Sequence, residues 1–144
     1  MYINLKNEYR HTIDAKNRLF IPAKHREMMN GDFVIFASPS DDCLRVYPQE
    51  YWREYDETKL SNIKGQLGKM TRRKIYQSAI PGDPDAQGRV VLTELLKNHA
   101  HIKKDVVILG VGPYAEIWAA ELYDQQLSAI TREEIMDIAE EYDL

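Results

Sequence analysis

The sequence predicts an α+β fold of two tandem modules, each built from β-hairpins and helices and related by a pseudo-twofold axis. Three observations carry this reading. The segment Asp14-Ala15-Lys16-Asn17-Arg18-Leu19-Phe20-Ile21-Pro22 returns 71 residues later as Asp85-Ala86-Gln87-Gly88-Arg89-Val90-Val91-Leu92. The same offset pairs Val46-Tyr47 with Ile117-Trp118, Glu50 with Glu121 and Trp52 with Tyr123, so a whole module recurs. Each copy also follows one plan of hairpin, short helix, hairpin and longer helix. The expected divisions are a first module over residues 1–58, a basic helical connector over 59–78, a second module over 79–125 and an acidic helical tail over 126–144.

In the first copy, residues 8–13 favour a strand through Tyr9, Thr12 and Ile13. Residues 14–17 form a turn, because Asp bonds backbone N–H groups ahead of it and Asn tolerates positive φ. Residues 18–21 return as a second strand, giving an expected hairpin over 8–21. Pro22 stops that strand and suits the start of a helix over 23–29, which Asn30-Gly31-Asp32 ends. Phe33-Val34-Ile35-Phe36 has the length and unbroken apolarity of a strand buried on both faces. Residues 43–47 form its returning partner, and Pro48 opens a helix running to about Lys59.

The connector predicts a helix delayed by Gly65 and Gly68 to a start near Leu67. In the second copy, residues 81–84 read as a turn, 89–92 as a strand and 93–100 as the short helix. Residues 106–109 are the buried strand, 115–118 its partner and 119–130 the longer helix. Thr131-Arg132-Glu133-Glu134 has capping-box spacing, so a final helix to about Tyr142 follows.

No apolar run reaches the roughly 20 residues that span a bilayer, and residues 1–6 lack a signal-peptide core. Cys43 is the only cysteine, so no internal disulfide forms, and a reducing cytoplasm is the expected home. The net charge of −4 hides an uneven distribution. Residues 121–144 carry eight acids and one base, which leaves +3 on the rest of the chain. Residues 58–82 hold six bases and no acid, so the overall charge misleads about any binding face.

The chemistry sits in the repeated turns. Packing the modules about their pseudo-twofold sets the two turns on one edge, where Arg18 and Arg89 project with Lys16 beside the first. A guanidinium takes a phosphate bidentately or forks onto guanine acceptors in the major groove, which admits two-stranded β elements. An exposed Asp–Arg pair adds too little stability to account for the turn on that ground alone. Asp14 and Asp85 then shape the turns and aim the Arg side chains.

On these residues, with Ala23-Lys24-His25-Arg26, Cys43-Leu44, Tyr47-Pro48, Val106-Val107-Ile108-Leu109-Gly110 and Glu116-Ile117-Trp118, the sequence resembles the MraZ family. The resemblance spans nearly the whole chain. It implies a transcriptional regulator of bacterial division and cell-wall gene clusters, with the AbrB/SpoVT-type fold, a swapped-hairpin β-barrel with flanking helices. It implies a ring-shaped homo-oligomer, typically an octamer, on direct repeats in double-stranded promoter DNA upstream of its own operon, in the nucleoid. The DNA-contacting Arg falls on Arg18, with Arg89 its second-copy equivalent. Lys16, Asn17, Gln87 and Gly88 are the expected companions. Asn17 departs from the usual Gly, and Thr93 from a frequent Pro.

Other chemistries fit poorly. An aspartic-protease dyad of Asp14 and Asp85 needs small residues and glycine where Lys16 and Gln87 stand. His11, His25, His99 and His101 form no metal set and read as surface histidines; no cofactor is expected. Gly110 and Gly112 lack the further glycine of a dinucleotide fingerprint. No nucleophile elbow occurs, so the expectation is a non-enzyme; the alternative is an antitoxin-like protein-interaction scaffold on the same fold.

Overall fold

A computed structural model describes residues 3–144; Met1 and Tyr2, which open the expected first module, lie outside the described residues. In the first half, β1 (Glu8–Thr12) and β2 (Arg18–Phe20) precede α1 (Ala23–Met28), then β3 (Phe33–Ala37), β4 (Leu44–Pro48) and α2 (Gln49–Thr58). A 3₁₀ turn (Leu60–Asn62) leads to α3 (Gly65–Ser78). The second half comprises β5 (Ile80–Gly82), β6 (Arg89–Val91), α4 (Glu94–His99), β7 (Asp105–Gly110), β8 (Ala115–Ala119), α5 (Ala120–Ser128) and α6 (Arg132–Glu141).

The expected α+β class holds, and the strand partners are exchanged between the halves. Six strands form an antiparallel sheet in the order β1-β7-β8-β4-β3-β5, and β2 pairs with β6 as a separate ribbon. This order is open, with β1 and β5 at its edges, and it reads symmetrically about the β4–β8 pair. The sequence expectation of a hairpin over residues 8–21 is therefore corrected. The turn closes through Asp14 N–H to the Arg18 carbonyl, but Ile13 N–H goes to Lys104, β1 pairs with β7 and β2 with β6. A ribbon of three residues per strand has no stability of its own. Leu19 and Val90, facing each other across it, anchor it by inserting into the core.

Burial explains the central strands. Phe33 and Ile35 enter the larger core with Leu19, Val90 and Ile108, while Val34 and Phe36 enter a second cluster with Tyr47, Leu60 and Ile75. Successive residues face opposite sides, so a strand covered on both faces reads as an unbroken apolar run.

Two further elements differ from expectation. Residues 80–82 form β5 rather than a turn, because Pro81 lies on an edge strand where a missing N–H breaks no ladder. Helix α3 starts at Gly65, not near Leu67. Gly65 takes φ +81° at its first position, and Gly68 allows Ile63 to pack against the helix backbone. The capping box on Thr131 and Glu134 is present and starts α6. Trp118 is buried and Trp52 packs on Phe36, so both tryptophans serve packing.

Candidate nucleic-acid interface

The two Asp-x-x-x-Arg turns adopt one hydrogen-bond pattern. Asp14 Oδ1 accepts the N–H groups of Lys16 and Arg18, each at 2.9 Å, and Oδ2 accepts Arg18 Nε at 2.6 Å. Asp85 Oδ1 accepts the N–H groups of Gln87 and Arg89, each at 2.9 Å, and Oδ2 accepts Arg89 Nε at 2.9 Å. These backbone donors, above all the N–H of Arg18 and of Arg89, hold both carboxyls below the ordinary Asp value of 3.8. Asn17 and Gly88 occupy the position that must be left-handed, with φ of 60° and 82°.

Each Asp engages only the Nε side of its Arg. Among the described residues, the two Nη groups of Arg18 and of Arg89 have no hydrogen-bond partner. The Asp thus aims the guanidinium and leaves its fork unspent. Both side chains remain about a third exposed, at 32% and 28%.

The ribbon determines where these forks point. Arg18 pairs with Val91 and Phe20 with Arg89, and these four share the face opposite the buried Leu19 and Val90. Arg18 and Arg89 lie diagonally across it, roughly 8 Å apart at Cα by strand rise and spacing. The strands run antiparallel, so the turns stand at opposite ends of the ribbon, which corrects the expectation that they lie together on one edge. Lys16 and Gln87 are exposed at the two tips.

Each turn is braced by the other half. Asn17 Nδ2 donates to Glu94 Oε1 at 3.1 Å, while Lys97 Nζ donates to Asn17 Oδ1 at 2.8 Å. Gly88 is buried under the Arg26 guanidinium, which also donates through Nε to the Ile21 carbonyl and covers the Phe20 ring. His11 meets the same ring edge-on. Arg26 and Lys97 are themselves 71 residues apart, as are Asn17 and Gly88. The repeat offset contained this brace, and sequence reasoning missed both bases because neither lies in a turn. Thr93, at the departure from Pro, caps α4 by accepting Leu96 N–H at 3.2 Å.

The structure does not favour catalysis at the carboxylates. Asp14, Asp85, Asp124 and Glu134 are all lowered by hydrogen bonds, opposite to what a general acid at neutral pH needs. Asp14 and Asp85 each accept three hydrogen bonds from within their own turn. The histidines do not cluster, and the expectation that all are superficial fails for His25. It is buried against Tyr9, with Nε2 3.0 Å from the Lys6 carbonyl. Among the described residues, Asp41, Cys43 and Glu116 are the one group close enough to hold a metal. Burial pushes the Cys43 thiol up to about 12, so it stays protonated, with Sγ 3.9 Å from Glu116 Oε2.

A family model described as "MraZ protein, putative antitoxin-like" matches residues 5–73 and again residues 75–144. A Lactobacillus johnsonii protein named transcriptional regulator MraZ is 41% identical over 138 residues, 94% of either chain. One of the same name from Carboxydothermus hydrogenoformans is 40% identical, covering 81% of this chain and 82% of its own. A third, from Heliobacterium modesticaldum, is 35% identical over 95% of this chain and 97% of its own.

Proposed function

The chain belongs to the MraZ family, and from that premise we propose that it regulates transcription by binding double-stranded DNA through the outer face of the β2–β6 ribbon. One observation carries the reading. Two arginines on that face, aimed by matching Asp turns, keep their Nη forks free for external acceptors. Arg18 and Arg89 read guanine edges or clamp phosphates, and Lys16 and Gln87 extend the contact along the backbone. Asn17 and Gly88 supply the left-handed turn conformation that presents Lys16 and Gln87 at the DNA side. The nearby charges, Lys16, Arg18, Arg26, Arg89 and Lys97 against Asp14, Asp85 and Glu94, leave the site basic within an acidic protein.

In this reading the interleaved strands constitute the swapped-hairpin unit of AbrB-type regulators. Residues 1–58 and 79–125 are its two modules, 59–78 connects them and 126–144 is an acidic tail held away from DNA. One ribbon reads too few bases for specificity, so affinity comes from a ring, an octamer in the simplest case, meeting direct repeats upstream of its own division and cell-wall operon. The protein acts by occupancy in the cytoplasm, at the nucleoid, without catalysis. No helix of the described residues is long and apolar enough to cross a membrane.

The family description also supports a second reading, an antitoxin-like protein-interaction scaffold. Footprinting on the DNA upstream of its own gene separates the two. Regulation predicts protection repeating at one fixed spacing and lost as salt rises. No protection at low salt would leave only the scaffold reading.

A further inference from the structure

We propose that α6 of one copy docks on α3 of a neighbouring copy, joining subunits through an acidic amphipathic helix laid on a basic one. This goes beyond the assembly argued for DNA binding by naming its contact, and it rests on the reading that several copies act together. No residue of α6 is buried, yet its apolar residues form a stripe. Ile135, Ile138, Ala139 and Tyr142 follow i, i+3, i+4, i+7 spacing, which puts them on one face. Ile135, Ile138 and Tyr142 are between 49% and 66% exposed. A solitary helix of ten residues gains most of its stability from packing, and among the described residues this one buries none of its own. Its other sides carry five acids against Arg132.

Helix α3 is the complementary surface. It holds Lys69, Arg72, Arg73 and Lys74 with no acid, and Leu67 and Met70 are exposed on the face that also bears Lys74. That face continues into a groove of about 530 Å³ between α3 and α4, where Pro39, Thr71 and the exposed Leu95 line the wall above the buried Ile75. An amphipathic helix laid along it buries apolar residues on both sides while opposite charges meet at the rim. A stripe of this kind left bare on a soluble protein marks an interaction site. The charge match selects a second copy of this chain as the occupant rather than nucleic acid, which the acids of α6 repel.

The test uses the full chain without DNA, with mass measured by sedimentation at low salt. Wild type is expected as a multimer that dissociates as salt rises. Arg73→Glu with Lys74→Glu, and separately Glu140→Lys with Glu141→Lys, are each expected to fall to a smaller species. All four positions are exposed, so helicity by circular dichroism stays at the wild-type value. Mixing the two variants is expected to regain mass, since reversed α3 then meets reversed α6. Wild-type mass in either variant, no recovery on mixing, or a wild type that is monomeric throughout overturns the proposal. An α3 variant that keeps its mass but loses DNA affinity makes α3 a DNA surface, which refutes this docking and leaves DNA recognition standing. Arg18→Ala is expected to keep full mass, so failure of the ribbon reading shows separately.

Discussion

Gly88→Ala tests whether the second turn depends on the brace across the halves. The residue sits at φ +82°, where an Ala costs about 1–2 kcal/mol from backbone strain. A Cβ built there comes within 2.5 Å of Arg26 Cζ and 2.7 Å of its Nε, too close for any real contact. Arg26 must swing aside, leaving the Phe20 ring and its 2.9 Å bond to the Ile21 carbonyl. A hydrogen bond from a charged group contributes about 1.5–3 kcal/mol, so loss of the bond and the strain together reach about 2.5–5 kcal/mol. For a chain of this size that corresponds to a fall in Tm of roughly 5–20 °C. Urea or thermal unfolding reads the change, and adding Arg26→Ala isolates the steric part. The double variant is expected to lose less than the sum of the two single ones. A Gly88→Ala midpoint within about 0.5 kcal/mol of wild type, or strict additivity, would show that Arg26 does not brace the turn.

Other perturbations probe the remaining parts of the site. Leu19→Ala empties a fully buried position in the ribbon and is expected to cost about 2–5 kcal/mol in urea unfolding; a cost under 1 would mean the ribbon is not anchored there. Thr93→Ala removes the cap of α4 and is expected to cost about 0.5–2 kcal/mol, whereas Thr93→Ser should cost little. The pKa values of Asp14 and Asp85 lie below those of the unfolded chain, so their stabilisation is full above the ordinary Asp value of 3.8 and disappears as pH falls through the lowered folded values. Carboxyl titration by NMR should therefore place both midpoints below 3.8, and a midpoint at or above it contradicts the turn geometry.

The doubled turn was legible because its chemistry is local: an Asp, a residue that accepts positive φ and an Arg lie within five positions. The doubly buried β3 was legible as well, since Phe33-Val34-Ile35-Phe36 has no polar face. Strand partners were not. Glu8–Thr12 has the pattern of a strand whether it pairs with Arg18–Phe20 or with residues 105–109. Closing the nearer contact costs less, and the distant one wins only through the core it builds with the other half, which no local pattern shows. Local pattern also hid Arg26 and Lys97, which sit on helices far along the chain from the turns they hold. Their shared offset was visible, but a base at a repeated position gains meaning only once the halves are known to interlock. Pro81 concealed β5, since a proline excludes an inner strand and says nothing against an edge.

DNA recognition through the ribbon is tested most directly by a salt-titrated mobility shift on the protein's own upstream DNA, comparing wild type with Arg18→Ala and Arg89→Ala. Each Arg that meets a phosphate should take about one unit from the slope of log K against log salt, and a base contact should cost about 1–3 kcal/mol. Arg18→Ala should lose more affinity than Arg89→Ala, because Lys16 and Lys24 make the first turn more basic than Gln87 and Leu95 make the second. Unchanged affinity and slope in Arg18→Ala would contradict recognition through this face. A larger loss in Arg89→Ala would reverse the roles of the two turns.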